Sequence, residues 1–124
     1  MTNKTPRRPE NLHKAYHAHI YFDADTIEQG RALATEASQL FKVQMGRVHA
    51  VPVGPHPIGS CQLAFSAGEF DKLIPWLDAH RAGLDIFVHA LTGNDLADHT
   101  TYAYWLGNEW PLKIEMFGPG AKGD

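Results

Sequence analysis

The stretch Ala15-Tyr-His-Ala-His-Ile-Tyr-Phe22 alternates strictly and is rich in aromatic and β-branched residues, the pattern of a β-strand. Side chains alternate faces along a strand. Tyr16, Ala18, Ile20 and Phe22 therefore form an apolar set, and His17, His19 and Tyr21 form the opposite one. A chain built around this strand must lay helices on one face of its sheet. The other face carries imidazoles and a phenol.

The rest of the chain supplies those helices. Asp25 and Glu28 have capping-box spacing and open a helical stretch to about Lys42, with Leu33, Ala37, Leu40 and Phe41 on one face. Residues 46–53 read as a second strand, which Pro52 marks as an edge or a strand end. The glycines and prolines of 54–59 predict a loop. Residues 61–66 form a third strand. Ser66 and Glu69, a second capping box, start a helix to about Ala82 with Phe70, Leu73, Ile74 and Leu77 inward, and Pro75 should kink it or delay its regular start. Residues 84–91 are a fourth strand and 93–99 a polar loop. Residues 99–106 are expected as a short helix bearing Tyr102, Tyr104 and Trp105. Leu112, Ile114 and Met116 alternate within 110–117 and predict a fifth strand. The order β-α-β-β-α-β predicts an α+β, ferredoxin-like fold with an extra C-terminal strand. Its antiparallel sheet would have the order 4-1-3-2, with both helices on one face. The open face must be covered by solvent, a ligand or a second subunit, and a swapped or paired fifth strand would be one way to build a dimer.

A length of 124 residues suits one domain, expected over 14–118, with tails at 1–13 and 119–124. The single Cys61 cannot form an internal disulfide, which agrees with a reducing compartment. The polar start with two prolines does not read as a signal peptide, and no apolar run approaches the roughly 20 residues of a membrane helix. A cytoplasmic protein without a membrane partner is expected. The net charge of −3, with Lys4, Arg7 and Arg8 as the one basic cluster, argues against nucleic-acid binding.

The informative excess is eight histidines. Alternation puts His17, His19, His49 and His89 on the open face. Strands one and four are adjacent and antiparallel in this topology, so His17 and His19 should lie beside His89. The loops bearing His56 and His99 reach the same end of the sheet, while His49 lies further across. Histidines at i and i+2 of a strand can bind one metal, and imidazole suits transition metals. His13 and His80 have ordinary explanations, a tail position and a helix end, and Cys61 reads as core. No phosphate loop, Gly-x-Ser-x-Gly elbow or dinucleotide fingerprint occurs.

The ordered set His17-Ala-His-Ile-Tyr-Phe22, Val53-Gly-Pro-His-Pro57, Leu84-Asp-Ile-Phe-Val-His-Ala-Leu-Thr-Gly93, Asp98-His99 and Trp105-Leu-Gly107 resembles the DOPA 4,5-dioxygenase family of fungi and bacteria. Pro75-Trp76-Leu77 is similar to the family's second-helix segment. The likeness covers roughly 15–117, and His89 is followed by Ala90 where the family pattern has proline. The resemblance implies a ferredoxin-like homodimer that cleaves a catechol such as DOPA in extradiol fashion with non-haem Fe(II) and O₂. The matching histidines are His19, His56, His89 and His99. On that reading His19, His56 and His89 hold the metal, and His17 or His99 moves the ring-hydroxyl proton. Tyr21, Tyr102 and Trp105 wall the ring, and Arg47 is the best cation for a substrate carboxylate. Three neutral imidazoles also suit Zn²⁺. Asp95, Asp98 and Glu109 lie in loops that could supply a carboxylate ligand instead. Two rivals stand beside this reading: a dimeric module that binds a metal or small aromatic without catalysis, and a metal-independent enzyme using His17 or His99 as base.

Overall fold

The computed structural model describes residues 7–117. Its elements are β1 (Ala15–Phe22), α1 (Ile27–Leu40), β2 (Gln44–His49), β3 (Gly59–Ser66), α2 (Ala67–His80), β4 (Ile86–Ala90), α3 (Asp95–Asp98), β5 (Ala103–Leu106) and a final 3-10 turn, Ile114–Phe117. The sheet order is β2-β3-β1-β4-β5 and each neighbouring pair is antiparallel. The expected order of the first four strands is present, with β5 added outside β4.

The core follows the alternation of β1. Tyr16, Ala18, Ile20 and Phe22 are buried with Leu33, Ala34 and Ala37 of α1 and Phe70, Leu73, Ile74 and Leu77 of α2. Removing such side chains from water contributes about 1.5–3 kcal/mol each, which fixes the register because a one-residue slip would exchange the faces. The helix starts differ from expectation. Asp23, not Asp25, closes the turn before α1, its carboxylate accepting from the Asp25 and Thr26 backbone N–H groups. Ser66 makes no side-chain cap at α2, and Glu69 instead accepts the Lys42 N–H at 3.0 Å. The helix continues through Pro75.

Three further corrections concern the ends of the chain. Residues 99–106 are not a helix: α3 stops at Asp98, and 103–106 pair with β4 as the fifth strand. Residues 110–117 are not a strand but a strap ending in the 3-10 turn. Segment 7–13 is tied down rather than free. Trp105 N–H donates to the Arg7 carbonyl at 3.0 Å, Arg8 pairs with Asp78 at 2.7 Å, and His13 packs on Tyr102. The expected tail residues 1–6 and 119–124 lie outside the described residues, as does residue 118. Among the described residues no helix is long and apolar enough to cross a membrane.

Candidate metal centre

The open face is not open. Tyr21, Phe87 and Trp105 form a second buried cluster there, with Ile58, Ala103, Trp110 and Leu112 packed against it. The strap that follows β5 supplies the cover. Gly107 adopts φ +90°, and a Cβ there would collide with the Asp85 carboxylate, so glycine is needed for the turn. Lys113 N–H then donates to the Pro55 carbonyl at 2.8 Å, and Phe117 packs its ring on His99.

Under this cover five histidines converge. His17 sits opposite His89 in the β1–β4 register, and their rings are 5.2 Å apart. His19 and His89 bring their Nε2 atoms to 3.0 Å. His56 lies 4.1 Å from His19 and His99 lies 4.2 Å from His89, ring centre to ring centre. One nitrogen each of His17, His19 and His89 falls within 4.8 Å of the others. His19, His56 and His89 are buried, whereas His17 and His99 are half-buried.

The hydrogen bonds assign protons. A carbonyl can only accept, so His89 Nδ1 donates to the Ala90 carbonyl at 2.8 Å. His89 Nε2 is then a lone pair aimed at His19. By the same logic His99 Nδ1 donates to the Asp95 carbonyl at 2.7 Å. Tyr21 shares a 2.8 Å hydrogen bond with His56 Nδ1. Burial lowers every shifted imidazole here. His89 is pushed down to about 3 and His56 to about 4, first by desolvation and next by neighbouring His99. His19 lies well below its ordinary value for the same first reason, and His17 is lowered too. Burial raises the Tyr21 phenol, which stays protonated. His17, His19, His56 and His89 are thus held as neutral imidazoles at pH 7. That donor chemistry fits a divalent transition metal, which needs deprotonated nitrogen ligands.

The remaining expected site residues divide. Trp105 is buried on the open face beside Tyr21 and Phe87. Tyr102 is not there: just before β5 it packs on the helix-side core, where it meets His13. Arg47 is exposed at the irregularity between Met45 and Val48 of the edge strand β2, with β3 between it and β1. Asp98 is buried, but its carboxylate accepts from the Thr92 N–H and hydroxyl, at 2.9 and 2.6 Å. Asp95 is exposed and meets His99 through its backbone carbonyl. Glu109 lines a cavity of about 360 Å³ with His99, Trp105, Trp110 and Arg7. Asp85, Trp110 and Phe117 were not singled out from sequence. A Gly-Asn pair at 107–108 is the turn signal that would have ended a strand at 106 and released the strap.

A model of the Dopa 4,5-dioxygenase family matches residues 16–116. The chain belongs to that family. It is 30% identical over 110 residues to the DOPA 4,5-dioxygenase of Amanita muscaria, covering 82% of this chain and 48% of that protein. It is 30% identical over 114 residues to an uncharacterized 21.2 kDa protein of Botryotinia fuckeliana, covering 82% and 62%. The chain thus spans about half to under two thirds of the length of these relatives. A crystal structure of a candidate dioxygenase from Nostoc punctiforme superposes with a TM-score of 0.80 at 44% identity, over 82% of this chain and 89% of that one. All five clustered histidines fall inside the segment matched to the Dopa 4,5-dioxygenase family.

Proposed function

We propose that this protein is an extradiol ring-cleaving dioxygenase acting on a catechol such as DOPA. The observation that carries the reading is the convergence of buried His19 and His89 with half-buried His17, all neutral and flanked by His56 and His99, in a chain of the Dopa 4,5-dioxygenase family. Fe(II), when bound, supplies the Lewis acidity that ionises a catechol and the electrons that activate O₂. His19 and His89 are the donors common to the family pattern and to the geometry. Distance favours His17 as the third, since His56 lies outside the trio whose nitrogens fall within 4.8 Å of one another. His99 lines the cavity with its Nδ1 held by the Asp95 carbonyl, so its other nitrogen is placed to take the proton of a ring hydroxyl. Trp105 and Trp110 wall the ring and exclude water. The homodimer implied by the family resemblance is part of this reading, and sedimentation equilibrium tests it.

The test is anaerobic loading with Fe(II), followed by air and a panel of catechols. O₂ uptake with a yellow ring-cleavage product is expected. His19→Ala should abolish both metal binding and turnover, and a fully active His19→Ala protein refutes the site. Tight metal binding without O₂ uptake across the panel would leave the non-catalytic binding module as the better reading.

A further inference from the structure

We propose that Trp110 is a partition that sets how large an aromatic molecule the site accepts, and that Asp85 is the residue that positions it. The inference rests on the catechol reading above and adds to it a determinant of substrate size. Two cavities adjoin Trp110, one on the covered face and one at the end of the sheet, where Phe22, Asp23 and Thr26 also line it. One, of about 360 Å³, contains His99 and Trp105. The other, of about 200 Å³, contains Tyr21, Ile58 and Asp85. Trp110 lines both. Its indole is therefore the wall between the space at His99 and a second space that no assigned role uses.

That wall is held from two sides. The indole Nε1–H donates to Asp85 Oδ2 at 2.9 Å. The other oxygen of Asp85 accepts the Asn108 backbone N–H at 2.8 Å and the Asn108 side-chain amide at 3.4 Å, so one carboxylate fixes both the turn and the indole. The Trp110 ring meets Tyr21 edge-on at 6.1 Å, and Lys113 anchors the strap beyond it to Pro55. A half-buried indole with its N–H satisfied by a carboxylate from β4's entry has little freedom to turn aside. Truncating it joins the two spaces, and a bulky ring substituent gains room that a bare ring does not use.

The experiment compares catechol with 4-tert-butylcatechol on the Fe(II)-loaded full chain. It reads kcat/KM by O₂ uptake and, separately, anaerobic equilibrium binding of each compound. Trp110→Ala should raise the bulky-to-plain ratio by about tenfold or more, the scale at which pockets discriminate small apolar groups. Asp85→Asn should move the ratio in the same direction by less. Trp110→Phe keeps an aromatic wall without the Asp85 bond and should fall between wild type and Trp110→Ala, which keeps the test alive if the alanine variant fails to fold by circular dichroism. A ratio unchanged in the folded variants, with both compounds weakened alike, overturns the partition and leaves Trp110 a packing residue. Absence of O₂ uptake by wild type with any catechol overturns the dioxygenase reading instead, and the binding ratio still decides the partition. Failure of every variant to bind either compound overturns both.

Discussion

Which nitrogen of an imidazole carries the proton decides what that histidine can do. His89 spends its Nδ1–H on the Ala90 carbonyl and presents Nε2 to His19, the arrangement of a metal-ligating histidine fixed from behind. Tyr21 does the equivalent for His56, but from a ring outside the closest trio. Alanine at His17 or His89 should therefore all but abolish metal binding. Alanine at His56 should cost about 10–100-fold, the usual effect of losing a neighbour that orients or supports ligands. Isothermal titration with Zn²⁺ measures all three, and a His56→Ala loss as large as that at His89 would restore the donor set His19, His56 and His89. At this scale the sequence was legible where one strand carried the information: alternation along β1 and β4 placed His17, His19 and His89 on one face. Whether His17 or His56 completes the donor set was not legible, because it depends on how deeply the His56 loop folds in and on what Tyr21 does with its hydroxyl.

A change of period, not of composition, separates expectation from structure at the fifth strand. In a helix over 99–106, Tyr102 and Trp105 would be neighbours three apart. In the structure Tyr102, just before β5, packs against His13, and Trp105 within β5 faces the other way beside Tyr21. Four residues are too few for periodicity to choose between the two. The long segments β1, α1 and α2 are legible because each offers two or more turns or a full run of alternation, while the strap alternates without pairing to any strand. Trp105→Phe should raise KM for a catechol, whereas Tyr102→Phe should leave it within about twofold of wild type, since hydroxyl loss on a half-exposed surface is worth under about 0.5 kcal/mol. Steady-state O₂ uptake distinguishes them, and a larger KM effect at Tyr102 would contradict its placement on the helix side. The turn into the strap is equally specific. Gly107→Ala forces a Cβ onto Asp85 at positive φ and should cost about 1–3 kcal/mol, the range for a strained backbone residue. Urea unfolding measures it.

The whole molecule carries the cost of concentrating its histidines. An unfolded histidine titrates near 6.5, but His56 and His89 in the folded chain titrate near 4 and 3, and His17 and His19 are lowered as well. Below pH 6.5 the unfolded chain therefore binds protons that the folded chain refuses, and stability must fall with pH. The burial is free of this penalty above about pH 7.5, where both states are neutral. It destabilises progressively as pH falls through 6.5, and the loss levels off only near pH 3–4, where the folded imidazoles at last accept protons. Paired carboxylates such as Asp78, held low by Arg81 and Arg8, act in the same direction but at lower pH, below their ordinary value of 3.8. The two contributions are thus separable by where they occur. A metal-free sample should lose urea midpoint between pH 7.5 and 5, before carboxylates titrate. A variant with His56 and His89 both replaced by glutamine should show a flatter profile over that interval. Saturating Zn²⁺ should raise the midpoint at pH 7.5, because a ligand bound only by the folded state stabilises it, and the increment should shrink toward pH 5 as protons compete for the imidazoles. A metal-free midpoint that stays level from pH 7.5 to 5 would mean that the imidazoles are solvated in solution, and with that the water-excluded centre on the covered face would be lost.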